Sequence, residues 1–448
     1  MIDSIRHTLR GQLTSSRAHA VSLFDMVIAL SILVLPIASQ AVADDPPTEQ
    51  RFTLSPHCPA GFALTEAHGC ELKTLYDGYS SVHDSGVGGP RAGLPEIRDG
   101  FSPEVIDLGR YLFFDPLLSG DHTIACSSCH DPDLGFADGR GRARGINGAV
   151  LQRSAPSLWN IGFFDKLLWD GSKKTLETQL LGPLYSSNEM GNTPEQLLTD
   201  LSNNKTYLQL FSDAFGTSDI NLEQVYTALT AFETSLVSLN SRYDFYAHGI
   251  HDSLSPSELK GLNVFRSFVS RCGECHTPPL FSNQEIAIIG VPEPEGRPFD
   301  SGAGATSGIP SQRGGFRVPS LRNIARTAPY MHQGNFQTLR ETVSFYNGGR
   351  GHAVPDDEHL LIHWHIWEPN LRDEELDRLV DFLHALTDEG FMPAIPERVP
   401  SGLTPGRAKL TASIGDPEHQ QQEHIQRKYS QNELKKPKRR EHLISRSQ

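Results

Sequence analysis

Two pentapeptides could carry chemistry in this 448-residue chain, CSSCH at Cys126–His130 and CGECH at Cys272–His276. C-x-x-C-H is the pattern of covalent c-type haem attachment. Two thiols three positions apart reach the two vinyl groups of one porphyrin edge. The adjacent imidazole then becomes the proximal ligand of the iron. A C-x-x-C redox pair or a split zinc site would use the same cysteines. Neither explains a His directly after the second Cys in both places. The sequence therefore predicts two covalently bound haem c groups, one on Cys126, Cys129 and His130 and one on Cys272, Cys275 and His276.

Helices must present these motifs. Ser102-Pro103-Glu104 opens one, with Ser as N-cap and Pro in the first turn. Val105, Leu108 and Leu112 give it an apolar stripe before FFDP and the first motif. Leu222, Val225, Leu229, Phe232, Leu236 and Leu239 recur at helical steps, predicting a long amphipathic helix that closes the first domain. Ser255-Pro256-Ser257-Glu258 is a capping box. Its helix, with Leu259, Leu262, Phe265 and Phe268 inward, is predicted to run directly into the second motif. Gly/Pro-rich loops fill 279–316. A last helix, Glu374–Leu386, turns Leu376, Leu379, Val380 and Leu383 inward. The expected fold is mainly α, with two cytochrome-c-like domains (101–250 and 251–401), long loops and few or no strands.

The flanks read differently. Arg6, Arg10 and Arg17 precede an apolar run, Met26–Ala38, and then Ala41-Val42-Ala43, so 1–43 is laid out as a signal peptide. The run is short for a membrane span; an uncleaved anchor is the other reading. Export and haem c both point to the periplasm, with no integral membrane segment after cleavage. Residues 44–100 form an extension in which Cys58 and Cys70, the two cysteines outside the motifs, are placed to form a disulfide. Free thiols are the alternative. Hydrophobic residues make up only 38% of the chain, and 30 Pro and 39 Gly imply many loops. The formal charge is −14. Residues 402–448 carry 10 Lys/Arg against 5 Asp/Glu, and 1–43 carry 3 against 2, which leaves the body at −14 − 5 − 1 = −20. The tail has no periodicity and reads as a disordered basic segment. An acidic body argues against nucleic acid and suits a cationic redox partner, or is simply soluble.

LGRYLFFDPLLSGD, CSSCHDPDLGFADGR, RSAPSLWN, WDG followed by Gln179 and Glu189, and VPSLRNIARTAPYMHQG together resemble the bacterial di-haem cytochrome c peroxidases and their MauG-type relatives over roughly 100–400. The resemblance implies a peroxidatic first haem. No His or Met lies between Asp131 and Glu189, and Ile146 and Asn147 stand where some members carry a distal His. The implied first iron is open, with Met190 or a distant His the other candidates. Glu189 and Gln179 match the distal acid–base and peroxide-orienting residues, Pro183 a residue that narrows the pocket, and Trp169 the aromatic between the haems. Asn160, Thr327 and Pro329 match a calcium site, and their oxygens suit Ca2+. At the second haem Tyr346 matches the MauG-type sixth ligand, with Met331 the alternative. His352, His359, His363 and His365 lack a zinc spacing and read as surface or haem-edge structure. The implied activity is reduction of hydrogen peroxide with electrons from a small cytochrome c or cupredoxin. The alternatives are MauG-type oxidation of a partner protein by high-valent di-haem iron, and passive electron carriage.

Overall fold

The computed structural model describes residues 51–78, 94–294, 296–349, 354 and 358–408. The signal-peptide stretch, His352 and the tail beyond Ala408 lie outside these residues. The first described element is a hairpin, β1 (Phe62–Leu64) paired antiparallel with β2 (Cys70–Leu72). Cys58 and Cys70 are disulfide-bonded at its base. Cys70 then hands the segment to the body, its N–H donating to Phe101 O at 2.8 Å.

The first core is built from α1 (Pro103–Phe114), α2 (Leu176–Tyr185), α3 (Pro194–Asn203), α4 (Lys205–Phe215) and α5 (Leu222–Thr234). Ser102 caps α1 by accepting from Val105 N–H. The second core is built from α6 (Arg242–Ala247), α7 (Pro256–Phe265), α8 (Cys272–Cys275) and, beyond a loop region, the last two helices. The loop region 279–316 is more ordered than its composition suggests: it holds β3 (Ile286–Ala287), α9 (Ala303–Ser307) and the start of β4 (Phe316–Arg317), with β3 and β4 antiparallel. Helices α10 (Leu339–Gly348) and α11 (Asp373–His384) complete the order. Among the described residues the chain is mainly helical, and no helix is long and apolar enough to cross a membrane.

Two helix ends differ from the periodic reading. α5 stops at Thr234, although Leu236 and Leu239 are buried as expected. Beyond Ser235 the backbone is taken by another segment: Asn160 N–H donates to Leu236 O at 2.7 Å, and the Asn160 carboxamide grips Ser238. α7 stops at Phe265, not at the second motif, because Ser267 and Ser270 take over the Val264 carbonyl. Phe268 therefore points out, 75% exposed, with the Arg271 guanidinium over its ring at 3.9 Å.

One packing device occurs twice. A Cβ on Gly109 in α1 would sit 1.9 Å from Ala228 O and 2.9 Å from Phe232 Cβ in α5. A Cβ on Gly261 in α7 would sit 1.9 Å from Arg378 O and 2.7 Å from Phe382 Cβ in α11. Only glycine lets these backbones approach so closely. Four residues after each glycine comes a Phe, and each joins an aromatic cluster. Phe113 lies 5.0 Å from Phe232 and 6.2 Å from Phe136, centroid to centroid. Phe265 lies 5.1 Å from Phe382 and 5.9 Å from Phe281.

A buried ion pair ties the N-terminal segment to the second core. Arg322 and Asp244 are both fully buried, with Nη1–Oδ2 at 2.5 Å and Nη2–Oδ1 at 2.7 Å. Tyr76 O–H donates to Asp244 Oδ1 at 2.5 Å, and Arg322 Nε donates to Pro279 O at 2.8 Å. Asp244→Asn should leave the guanidinium without its counter-charge and cost about 3–5 kcal/mol. Denaturant unfolding of the holoprotein reads this directly, and a loss below about 1 kcal/mol would show that the network is not a stability element.

Candidate active site

Each pentapeptide lies at the foot of one aromatic cluster. Cys126–Ser128 form a turn of 3-10 helix, and Cys272–Cys275 form α8. His130 Nδ1 meets Phe136 O at 3.0 Å; His276 Nδ1 meets Phe281 O at 3.1 Å and Pro319 O at 3.2 Å. A hydrogen bond at Nδ1 fixes the tautomer and leaves Nε2 for a metal. The accepting residues are unusual. Phe136 has φ +59° and Phe281 φ +53°, left-handed conformations that cost a bulky side chain energy. Both are clamped by the same aromatic packing, so the two histidines are aimed by equivalent devices. Burial lowers the pKa of His130, and that of His276 to about 4, favouring the neutral imidazole that ligates.

Burial pushes the Cys129 thiol up to about 12 and the Cys272 thiol up to about 11, and raises Cys126 and Cys275 as well. A redox-active or zinc-binding pair needs the opposite shift. Cys272, Cys275 and His276 open on an apolar cavity of about 250 Å³ that Trp169, Met331 and Tyr346 also line. That lining suits a haem. Tyr346 projects from α10, and burial, with the nearby thiols of Cys275 and Cys272, holds its phenol well above the usual tyrosine range. Met331 reaches the same cavity from a left-handed turn, φ +73°, whose carbonyl accepts from Ser154 Oγ. Both predicted sixth ligands thus share one cavity.

Trp169 is half-buried on the wall of this cavity. Its indole N–H donates to Ser154 O at 2.9 Å, and its ring stands edge-on to His332 at 6.4 Å. Arg153, next to Ser154, bridges Asp170 at 3.0 Å and Asp300 at 2.8 Å, which fixes that wall.

On the side of the first motif, Gln179 and Pro183 lie one turn apart on α2, and Glu189 follows in the loop after it. Glu189 is half-buried; burial raises its pKa, and its charge in turn raises that of Cys129, so it stands close to the first motif. The loop is held by Ile146 N–H donating to Glu189 O at 2.8 Å. Gly145 makes this possible, since a Cβ there would fall 1.9 Å from Asn188 O. Ile146 thus shapes the Glu189 loop, and Asn147 follows in a left-handed turn, φ +55°. Met190 is buried in the first core, its N–H donating to Pro183 O at 3.0 Å.

The predicted calcium residues are placed less simply. Thr327 and Pro329 line the second cavity. The Asn160 carboxamide is buried and paired both ways with Ser238, at 3.0 and 2.9 Å, leaving one lone pair on Oδ1. Of the His-rich patch, His363 and His365 converge with Cys275 to within 4.8 Å. Cys275 belongs to the second motif, and Cys275 and His365 line that cavity.

Glu233 was not singled out from the sequence. It is 4% exposed on α5, its Oε2 has no hydrogen-bond partner, and its charge acts on Cys126. Thr230 and Thr234, on the same face, also carry unpartnered hydroxyls. Orphaned polar atoms in a core imply a missing group, and here they border the first motif. A Glu at a buried helical position is the signal, hidden because Ala231-Phe232-Glu233-Thr234 reads as ordinary amphipathic helix.

Comparison with known proteins gives the same direction. The family model described as di-haem cytochrome c peroxidase matches residues 103–252. The methylamine utilization protein MauG of Methylorubrum extorquens is 30% identical over 346 residues, covering 76% of this chain and 95% of MauG. The cytochrome-c peroxidase IdrP1 of Pseudomonas sp. (strain SCT) is 31% identical over 316 residues, covering 64% of this chain and 81% of the relative. Among solved structures, a MauG-like protein associated with microbial copper homeostasis superposes with a TM-score of 0.62 at 32% identity, covering 68% of this chain and 95% of that one.

Burial raises the Glu233 pKa to about 8. A carboxyl raised in the folded state stabilises the fold fully below its unfolded pKa, near 4.3, and that contribution is lost as pH rises through about 8. Glu233→Gln should therefore flatten the decline in melting temperature across this window. An unchanged pH–stability profile would mean that Glu233 has found a partner in the holoprotein.

Proposed function

This chain belongs to the family of di-haem cytochrome c peroxidases and MauG proteins, an oxidoreductase with two haem groups, and on that premise we propose that it is an exported, periplasmic enzyme reducing hydrogen peroxide to water. Its haems are attached covalently, through Cys126 and Cys129 with His130 as ligand, and through Cys272 and Cys275 with His276. When bound, they supply the iron and the store of oxidising equivalents that peroxide cleavage needs. The balance is one H2O2, two protons and two electrons to two waters. A haem held by Cys272, Cys275 and His276 would supply the entry point for electrons from a small cytochrome c or cupredoxin. The acidic body favours a donor with a basic face.

The observation that carries this reading is Glu189, a half-buried carboxyl with raised pKa beside the first motif, on a loop anchored through Gly145 and Ile146. A passive carrier has no use for such a group. Glu189 takes the proton from the inner oxygen of peroxide and returns it to the outer one, so that water leaves instead of hydroxide. A raised pKa suits it to both halves of that transfer. Gln179, one turn before Pro183 on α2, holds the peroxide by its carboxamide. Trp169, its ring held by Ser154 and His332, would serve as the electron relay between the two haems. Asn160, Thr327 and Pro329 hold one Ca2+ at the junction, with water filling the rest of its shell.

Tyr346 favours a second reading, oxidation of a partner protein as in MauG-type enzymes. An anionic oxygen ligand stabilises oxidised iron and lowers the potential. Such a centre holds oxidising equivalents well and accepts electrons from ordinary cytochromes poorly.

Glu189→Gln should retain both haem spectra and lose on the order of 10²–10⁴ in peroxide turnover; near-normal turnover would end its assignment as acid–base group. Near-infrared magnetic circular dichroism decides the sixth ligand of the second haem. Tyr346→Phe should abolish a His–Tyr charge-transfer band. A His–Met band that survives Tyr346→Phe and disappears in Met331→Leu would assign Met331 and favour the electron-fed peroxidase.

A further inference from the structure

The chain does not end at the second core. After α11 it crosses back to the first, where Phe391 and Ile395 pack and Val399 is completely buried. From there residues 399–408 form a strap latched to the first motif. Ser401 donates from N–H (3.1 Å) and hydroxyl (2.6 Å) to the buried Asp115 carboxylate, just past the end of α1. Gly406 N–H donates to Phe114 O at 2.8 Å, and its carbonyl accepts from Ser127 Oγ, inside CSSCH, at 2.7 Å. A Cβ on Gly406 would fall 2.6 Å from Ala125 Cβ and 3.0 Å from Ser127 Oγ, so the strap lies flat on the motif. Arg407 then forks onto Asp131, the residue after His130, at 2.8 and 2.9 Å, and also meets Asp133. Ala408 N–H adds a third bond to Asp131 at 3.0 Å.

Asp131 is 3% exposed and holds the turn that aims His130. Its carbonyl accepts from Phe136 N–H at 2.8 Å, and its N–H donates to Ala137 O at 2.9 Å. Phe136, in its left-handed conformation, supplies the carbonyl to His130 Nδ1. The connection is continuous: Arg407, Asp131, Phe136, His130. The second motif has no such carboxylate, because Thr277 follows His276. We propose that Arg407 is a positioning residue which, by clamping Asp131, holds the Phe136 carbonyl on His130 and thereby sets the donor strength of this imidazole and the reduction potential of the first haem. A hydrogen bond at Nδ1 makes the imidazole a stronger donor, which favours oxidised iron. The inference rests on the reading of His130 as an iron ligand.

The test is a spectroelectrochemical titration of the full-length holoprotein. Arg407→Gln should raise the midpoint potential of the first haem and leave that of the second in place. Arg407→Lys, which keeps charge but not the bidentate fork, should give a smaller shift of the same sign, and serves if the Gln variant does not fold. Ser401→Ala removes the other latch without touching Asp131; it should lower the melting temperature and leave both potentials unchanged. Equal shifts of both haems, no shift in the Arg407 variants, or the same shift in Ser401→Ala would overturn the proposal. The parent protein separates this from the function itself. A first haem that lacks a His-ligated signature overturns the assignment of His130. A normal first-haem signature indifferent to Arg407 overturns the strap alone.

Discussion

Backbone contact between helices, permitted by Gly109 and Gly261, is the constraint on which the rest depends. Each glycine brings the helix preceding a Cys-x-x-Cys-His motif against a later helix until no side chain fits between them. The phenylalanines one turn on, Phe113 and Phe265, are then pressed into Phe232 and Phe382. That contact makes the wall on which Phe136 and Phe281 rest. These two residues accept strained backbone angles and turn their carbonyls to the histidines. A side chain at either glycine would separate the helices, relax the aromatic cluster and release the ligand's orientation.

The same plan supports two unlike sites. On the first side stand two carboxyls raised by burial, Glu189 in the loop after α2 and Glu233 on α5 with its Oε2 unpartnered. On the second side the cavity is lined by Tyr346, Met331 and the indole of Trp169. One environment presents buried carboxyls, the other an apolar cavity with a phenol, a thioether and an indole. Arg153, pairing with both Asp170 and Asp300, braces the stretch that carries Ser154 and Trp169 on that cavity.

The duplication extends further than the two motifs. Pro156-Ser157-Leu158 precedes Asn160-Ile161, and Pro319-Ser320-Leu321 precedes Asn323-Ile324. Both asparagines take left-handed backbones, φ +61° and +57°, and both reach Ser238 with their side chains. The residue between differs: Trp159 packs on Phe136 at 5.0 Å, whereas Arg322 forms the buried pair with Asp244. The halves share a backbone design and diverge in what they bury.

Local chemistry was legible in the chain alone. Cys and His at fixed spacing, Ser102 and Ser255 as caps, and leucines at helical intervals act over a few residues, so α1, α7 and α11 stand close to where the pattern put them. The proposals for Glu189, Gln179 and Tyr346 rest on family spacing, which is also local information. Competition between distant segments was not legible. α5 ends early because Asn160 claims Leu236 and Ser238. Glu233 looks like any helical Glu until the fold buries it. Arg407 looks like the start of a basic tail until the strap brings it to Asp131. Hydrogen bonds and burial between residues far apart in the chain depend on which backbones meet, and only the tertiary structure decides that.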